Sequence, residues 1–265
     1  MKGFLFIDSL KLAKSNLNKA GSMILFDALF IVSFFGLQNL FTYFAQSLVI
    51  EKTLMFGLIL LIFTLIYYLL ILLVYSLFKY ILLDFIKSLF EKTEFSFKRL
   101  GQFYSLNIII SGIFFAIIIM FNFLLASIKQ TYAPYVFIVM AIPYFIILYL
   151  TINISHSLFY EGFSIKEAIN KGFKLIFTKI KIYRATIFML ILSALLLWLI
   201  FIGSGYLISL LASKNYSLYL SSYGYMKHIS IVIFYVVFYF VILINRISFY
   251  NICRKNITPK VWGFL

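Results

Sequence analysis

Two ionisable side chains lie inside long apolar stretches of the sequence. Charged residues are rare in such stretches, and they often mark a functional site. Asp27 stands about six residues into the first stretch, and Arg246 lies near one end of the last. A carboxylate at that depth costs on the order of 1–3 kcal/mol unless it is paired or hydrated. The two residues predict either a structural Asp27–Arg246 ion pair, or a carboxylate that reaches the interface, or a relay for protons or cations. The sequence leaves these alternatives open.

Three further polar residues within the apolar stretches, Asn107, Asn153 and His156, predict hydrogen bonds between helices. Such bonds contribute about 0.6 kcal/mol each on average inside a membrane. His156 follows Asn153 by one helical turn, and we interpret it as a hydrogen-bonding group near the interface rather than as a ligand. Zinc sites need several protein ligands, and the other histidine, His228, is expected on the opposite side of the membrane. We therefore expect neither a metal site nor a cofactor.

The sequence carries no pattern typical of an enzyme. Nucleophile-elbow, P-loop, zinc-protease and dinucleotide-binding motifs are all missing from it. An intramembrane enzyme normally needs two or more converging ionisable groups, and the apolar stretches offer few. The single cysteine, Cys253, excludes an intrachain disulfide and any site built from several cysteines. We therefore expect a protein without enzymatic activity.

The composition is typical of a membrane protein. The 265 residues are 64% hydrophobic and only 12% charged, whereas soluble domains are near half apolar and a quarter charged. The formal net charge is +15. In a soluble chain, that charge would suggest nucleic acid as a partner. Here the cations lie between apolar stretches, so we expect membrane lipids, especially anionic ones, and no nucleic acid.

Six segments are long enough to span a hydrocarbon core of about 30 Å, which needs about 20 apolar residues. They lie at about 21–43, 54–78, 103–127, 135–157, 184–212 and 229–250. Shorter amphipathic segments precede three of them, at about 4–20, 86–101 and 163–182. The predicted fold class is all-α, an integral membrane six-helix bundle in one domain of residues 1–265. It consists of three hairpin units, each preceded by a cytoplasmic amphipathic segment.

The charges between the segments predict the orientation. Among 23 Lys and Arg residues, only Lys52, Lys129, Lys214 and Lys227 fall on one side of the membrane. Cytoplasmic loops are enriched in Lys and Arg. We therefore expect a multi-pass protein of the cell (plasma) membrane with both termini in the cytoplasm. A tyrosine-rich external loop is expected at 213–228.

The clearest amphipathic pattern is in residues 163–183. Apolar residues recur there at helical spacing, and Ser164 with Glu167 forms the signature of a capping box. Such a helix is expected to lie along the membrane surface with its lysines toward the headgroups. The cations that we expect to bind lipid or a partner belong to this segment and to the second one: Lys98, Arg99, Lys166, Lys171, Lys174 and Lys179.

The amphipathic segments resemble one another, which predicts an internal repeat. Phe95-Ser-Phe-Lys98 precedes the third span, Phe163-Ser-Ile-Lys166 precedes the fifth, and Asp8-Ser-Leu-Lys11 opens a similar stretch before the first. Internal repeats are common in membrane transport folds. The alternative is that basic interfacial segments of this composition align by chance.

The stretch 142–190 carries a resemblance to a known group. Its residues are Ile142-Pro143 and then Leu158-Phe-Tyr-Glu-Gly-Phe-Ser-Ile-Lys-Glu-Ala-Ile-Asn-Lys-Gly-Phe-Lys-Leu175. This pattern resembles a diffuse group of prokaryotic membrane proteins, including the YciC-like inner-membrane proteins and the membrane domain fused to some glycerophosphodiester phosphodiesterases. The resemblance implies six helices in hairpin units, and it implies no catalytic residues.

Three functions are consistent with these patterns. The first is a non-enzymatic membrane protein that engages anionic lipid or a partner protein through basic amphipathic helices. The second is a small-solute permease, whose marker would be a polar cavity lined by Asp27, Asn107, Asn153 and Arg246. The third is an accessory subunit of a larger membrane complex, which the sequence does not separate from the first.

Overall fold

The computed structural model describes residues 5–47, 54–178, 180–211 and 216–256. Within these ranges the chain folds into eight helices and no strands. In chain order the helices are α1 (Leu5–Ser15), α2 (Leu17–Ser47), α3 (Leu54–Ser88), α4 (Phe97–Ala126), α5 (Ala133–Tyr160), α6 (Ile165–Thr178), α7 (Ile180–Leu211) and α8 (Tyr216–Asn256).

Six of these helices, α2 to α5 with α7 and α8, are long and apolar enough to cross a membrane. Their apolar portions are 28 to 37 residues long, with a mean hydropathy of 2.0 to 2.9. A helix rises 1.5 Å per residue, so about 20 residues already cover the hydrocarbon core. The prediction of an all-α protein with six apolar spans is confirmed at this level. The helices are longer than the predicted spans; α3, for example, continues past residue 78 to Ser88.

The chain divides into two compact units, which are described separately. The five-helix unit contains α2 to α6 together with the end of α1, from Ala13 to Thr178. The α7–α8 unit contains α7 and α8 together with the first part of α1, up to Leu12. Within the α7–α8 unit the two long helices pack against each other.

In the five-helix unit, each long helix packs against the next one in the chain, and α6 packs against both α5 and α4. Aromatic rings fill the contact between α2 and α3, where Phe41 lies 4.0 Å from the ring of Tyr67. At the other end of this helix pair, Lys19 Nζ donates to the carbonyl of Ser88 at 2.5 Å. A cation at that place satisfies a carbonyl in the last turn of α3.

Two predicted segments have a different structure. Residues 86–101 do not form a separate amphipathic helix, because α3 continues to Ser88 and α4 already begins at Phe97. Most of the expected external loop at 213–228 is helical, since α8 starts at Tyr216. Parts of both segments therefore belong to long helices: residues 86–88 to α3, residues 97–101 to α4, and residues 216–228 to α8.

Part of the apolar face of α6 packs against α5 and α4. Ala168, Gly172 and Ile176 are buried, and a Cβ atom placed at Gly172 would collide with the hydroxyl of Ser155 on α5. The ring of Phe173 stacks on Phe114 of α4, with centroids 6.4 Å apart. A helix that lies along the membrane surface is expected to place this face in the acyl boundary. The missing side chain of Gly172 lets α6 approach α5 closely, so much of that face packs against the protein itself.

Candidate functional site

A polar groove lies at one end of the five-helix unit, where α3 ends, α4 begins, α5 ends and α6 begins. Its volume is about 920 Å³. Its lining consists of Lys87, Arg99, Gln102, Phe159 and residues 161–167. We call this feature the polar groove. A smaller pocket of about 270 Å³ shares Lys87 and Arg99 with it. The two cavities therefore meet at the same pair of cations.

Local contacts fix Arg99 at the junction of the two cavities. Ser96 caps α4, and its side chain accepts a hydrogen bond from the backbone N–H of Arg99. The guanidinium Nη2 donates to the carbonyl of Phe159 at 3.0 Å and lies 5.5 Å from the Phe159 ring. A guanidinium has five N–H donors. One of them anchors α4 to α5, and others remain for a ligand in the groove.

Lys87 is held at the end of α3 by two neighbours. Its Nζ lies 3.1 Å from Glu91 Oε1, in an i,i+4 ion pair. It also lies 5.7 Å from the centre of the Tyr160 ring. An exposed ion pair of this kind contributes little to stability. Its effect here is to keep the ammonium beside Arg99 rather than free in solvent.

The smaller pocket is organised around Asp84. Tyr160 donates its hydroxyl to Asp84 Oδ1 at 2.5 Å, and Thr93 donates to Oδ2 at 3.1 Å. The Tyr160 ring packs on the buried ring of Tyr80, with centroids 5.0 Å apart. Sequence reasoning did not single out Asp84 or Tyr160. The available signal was an acidic residue near the end of an otherwise apolar helix.

The turn between α5 and α6 places two carboxylates on the groove. Gly162 has a φ of 106°, a backbone conformation that favours glycine, and it allows the chain to reverse between Glu161 and α6. Glu161 Oε1 is buried, and it has no hydrogen-bond partner among the described residues. A buried oxygen without a donor is costly. Glu161 is also one of the two carboxylates that line the polar groove.

Glu167, in contrast, is occupied by the predicted capping box, which the structure confirms. Its Oε2 accepts from the backbone N–H of Ser164 at 3.1 Å and from the Ser164 hydroxyl at 2.9 Å. In return, Ser164 Oγ accepts from the backbone N–H of Glu167 at 3.4 Å. The two hydrogen bonds from Ser164 hold the pKa of Glu167 below its usual value, and the backbone hydrogen bond has the larger effect. The box fixes the start of α6 at the rim of the groove.

The other predicted cations lie around this end of the unit. Lys98 is exposed in the first turn of α4, and Lys166, Lys171 and Lys174 are exposed on α6. Lys171 Nζ lies 4.0 Å from the centre of the Phe163 ring. The structure thus brings Arg99 and Lys166 to one cavity, while Lys98, Lys171 and Lys174 remain on the surface. Lys179 lies outside the described residues.

The predicted intramembrane residues Asn107 and His156 come together deep in the five-helix unit. His156 Nε2 and Asn107 Oδ1 are 2.7 Å apart, and Asn107 Nδ2 donates to Ser76 Oγ at 2.8 Å. Ser76 in turn donates to the carbonyl of Leu72. Because the Asn107 oxygen accepts, His156 carries its proton on Nε2, and Nδ1 has no partner among the described residues. His156 is fully buried within the protein, and its predicted place near the membrane interface stays a prediction.

The remaining predicted intramembrane residues are Asn153, Asp27 and Arg246. Asn153 donates to the carbonyl of Tyr149 in its own helix at 2.8 Å. Asp27 is buried on α2 of the five-helix unit, whereas Arg246 belongs to α8 of the other unit. The proposed Asp27–Arg246 pair therefore stays a prediction. Among the described residues, no cluster of His, Cys, Asp or Glu could hold a metal ion.

The fold and these sites define an all-helical protein with six apolar helices of membrane-spanning length. Comparison with models of known families, with curated proteins and with solved structures finds no match for the chain. The resemblance to YciC-like proteins stays a prediction.

Proposed function

We propose that this chain is a non-enzymatic multi-pass protein of the cell membrane that engages anionic phospholipid through the basic end of the five-helix unit. In this proposal both termini and the basic end face the cytoplasm. The observation that carries the proposal is the exposure of Lys166, Lys171 and Lys174 on α6 while the opposite face of that helix is docked on α5 and α4.

Exposed aromatic side chains beside these cations support a position at the membrane interface. Phe97 at the start of α4 is 80% exposed, and Phe177 at the end of α6 is 69% exposed. The Phe163 ring lies beneath the ammonium of Lys171. Aromatic rings next to lysines are typical of surfaces that sit between headgroups and acyl chains. This arrangement favours lipid over a water-soluble partner.

Docking of α6 changes how it would bind lipid. A free amphipathic helix must fold and insert as it binds, which costs conformational entropy. The buried residues of α6 fix it on the bundle, so its lysines are already arranged. Each lysine near an anionic leaflet contributes about 1 kcal/mol at most. Three such lysines are enough to enrich anionic lipid around the protein, and salt screens that attraction.

The test uses the full-length protein in lipid nanodiscs that contain phosphatidylcholine and a minor fraction of phosphatidylglycerol. Mass spectrometry of lipids retained after mild delipidation should show enriched phosphatidylglycerol. The triple variant Lys166→Gln/Lys171→Gln/Lys174→Gln should lose most of this enrichment. The matched control Lys129→Gln/Lys227→Gln removes exposed lysines at the predicted opposite side and should retain it. Equal lipid ratios in all three proteins would contradict the proposal.

A small-solute permease remains the second candidate, and the buried Asn107–His156 pair favours it. A polar network of this kind between α3, α4 and α5 could line a path for a solute. The proposal predicts uptake by proteoliposomes that Asn107→Leu abolishes. A wild-type protein that retains lipid but transports none of a panel of small polar solutes would count against it. The accessory-subunit alternative would show as a stoichiometric second protein in the same preparations.

A further inference from the structure

The polar groove differs from the basic surface around it because it holds charges of both signs. Five of the chain's eight acidic residues lie in or beside the two cavities at this end: Asp84, Glu91, Glu94, Glu161 and Glu167. These carboxylates offset the cations Lys87, Arg99 and Lys166 that line the groove, so a purely anionic ligand would match only part of it. A ligand that carries both an anion and a cation would match it.

One side of the groove is suited to a phosphate. Arg99 is held by Phe159 and retains free N–H donors, and Lys87 and Lys166 line the same cavity. Guanidinium and ammonium groups bind phosphate oxygens through charge-assisted hydrogen bonds. The first turn of α6 also lies on the groove, and the partial positive charge of a helix start adds to the attraction.

The other side is suited to a cation that donates hydrogen bonds. Glu167 is already occupied by Ser164, whereas Glu161 Oε1 is buried and has no donor among the described residues. Glu161 lines the groove, so a primary ammonium there would pair with its carboxylate through N–H donors. A quaternary ammonium has no N–H to donate, so it would make no such hydrogen bond.

We propose that the polar groove binds a phosphoethanolamine group, with its phosphate on Arg99, Lys87 and Lys166 and its ammonium on Glu161. This inference rests on the proposed lipid-binding function and adds selection of a headgroup to it. The apolar side chains of Phe159, Phe163 and Ile165 also line the groove. They suit the glycerol and upper acyl carbons of a phospholipid better than they suit open water.

The test compares headgroups that differ mainly in their N–H donors. Full-length protein is placed in nanodiscs with a fixed fraction of phosphatidylglycerol and equal amounts of phosphatidylethanolamine and phosphatidylcholine. Retained lipids are counted by native mass spectrometry. We expect phosphatidylethanolamine to be retained about tenfold over phosphatidylcholine, the factor that one charge-assisted hydrogen bond supplies. This comparison needs no variant, so it does not depend on how a substitution folds.

Variants then assign the selectivity to the groove. Glu161→Gln should bring the two zwitterionic lipids close to parity while phosphatidylglycerol stays enriched. Glu94→Gln is the matched control, because Glu94 lines only the smaller pocket, and it should keep the preference. Soluble phosphoethanolamine added to the discs distinguishes the source of the group. Displacement of retained phosphatidylethanolamine only at a large excess supports the lipid, and tight binding of the soluble compound supports a free metabolite at the same groove.

Failure of the headgroup inference can be distinguished from failure of the proposed function. Equal retention of phosphatidylethanolamine and phosphatidylcholine, with no binding of soluble phosphoethanolamine, would overturn this inference. If phosphatidylglycerol were still enriched in that experiment, the proposed function would stand. If phosphatidylglycerol were not enriched either, both proposals would fail.

Discussion

Gly172 on α6 lies so close to Ser155 on α5 that no side chain fits between the two helices at this point. Ser155 is fully buried, and its Oγ has no hydrogen-bond partner among the described residues. The contact places the middle of α6 beside a residue five positions before the end of α5. It is therefore one of the contacts that hold the lysine-bearing helix against α5.

The first prediction concerns this contact. Gly172→Ala should destabilise the protein, since overpacking costs about 1–3 kcal/mol and the gain in helix propensity returns only about 1 kcal/mol. Ser155→Ala removes the colliding hydroxyl, so the double variant should be as stable as the original protein or more so. Thermal unfolding in nanodiscs measures both effects. Gly112→Ala is the matched control, because open space surrounds that position on α4. A Gly172→Ala protein that unfolds at the original temperature would refute the close contact.

The second prediction concerns the buried polar network. Asn107→Leu leaves the Nε2–H of His156 without an acceptor, which should cost about 1–3 kcal/mol. His156→Phe should cost a similar amount by orphaning the Asn107 oxygen. The double variant should cost clearly less than the two single changes together, because both partners are then gone.

Equilibrium unfolding in detergent, with the free energy of unfolding extracted for each protein, measures this coupling. Asn153→Leu provides the control. Its side chain donates to the carbonyl of its own helix, so its effect should add to that of Asn107→Leu. Strict additivity of Asn107→Leu and His156→Phe would show that the two side chains do not interact.

The third prediction concerns pH and the start of α6. The pKa of Glu167 is lowered, because the backbone N–H and hydroxyl of Ser164 donate to its carboxylate. A lowered pKa stabilises the folded state above the usual glutamate pKa, and this contribution is lost as the pH falls through the lowered value. Amides of α6 should therefore exchange faster in Glu167→Gln than in the original protein at neutral pH, and the difference should vanish in acid.

Hydrogen–deuterium exchange of the two proteins, compared at each pH, measures that difference and cancels the intrinsic pH dependence of exchange. Glu94→Gln makes the same chemical change in the loop before α4 and should leave α6 exchange unaltered. A ratio between Glu167→Gln and the original protein that stays constant from neutral to acidic pH would contradict the role of the capping box.

Two features of the fold follow from local sequence, and the structure confirms both. Long apolar stretches specify their helices by length and hydropathy alone. The start of α6 followed from Ser164 and Glu167, which are three residues apart and satisfy each other's hydrogen bonds. In both cases the determining interactions lie within one helical element.

The parts that depend on contacts between distant residues were not predicted. Asn107 and His156 are far apart in sequence, and neither periodicity nor charge indicates which helices are neighbours. The docking of α6 was also missed, although a glycine on its apolar face was a usable signal for a close helix contact. The polar groove is built from four helix ends. The sequence alone therefore does not show that Glu161 lines the same cavity as Arg99 and Lys87.

Both proposals require that the basic end of the five-helix unit face the cytoplasm, and side-specific labelling tests that most directly. In a Cys253→Ser background, single cysteines replace Lys171, Lys129 and Lys227, and a membrane-impermeant maleimide is added to intact cells or to inverted vesicles. We expect Lys171→Cys to react only in inverted vesicles, whereas Lys129→Cys and Lys227→Cys should react only in intact cells. A permeant maleimide that labels all three confirms that each thiol is reactive. Labelling of Lys171→Cys in intact cells, or of all three from one side, would contradict the six-span orientation and the lipid-facing role of α6.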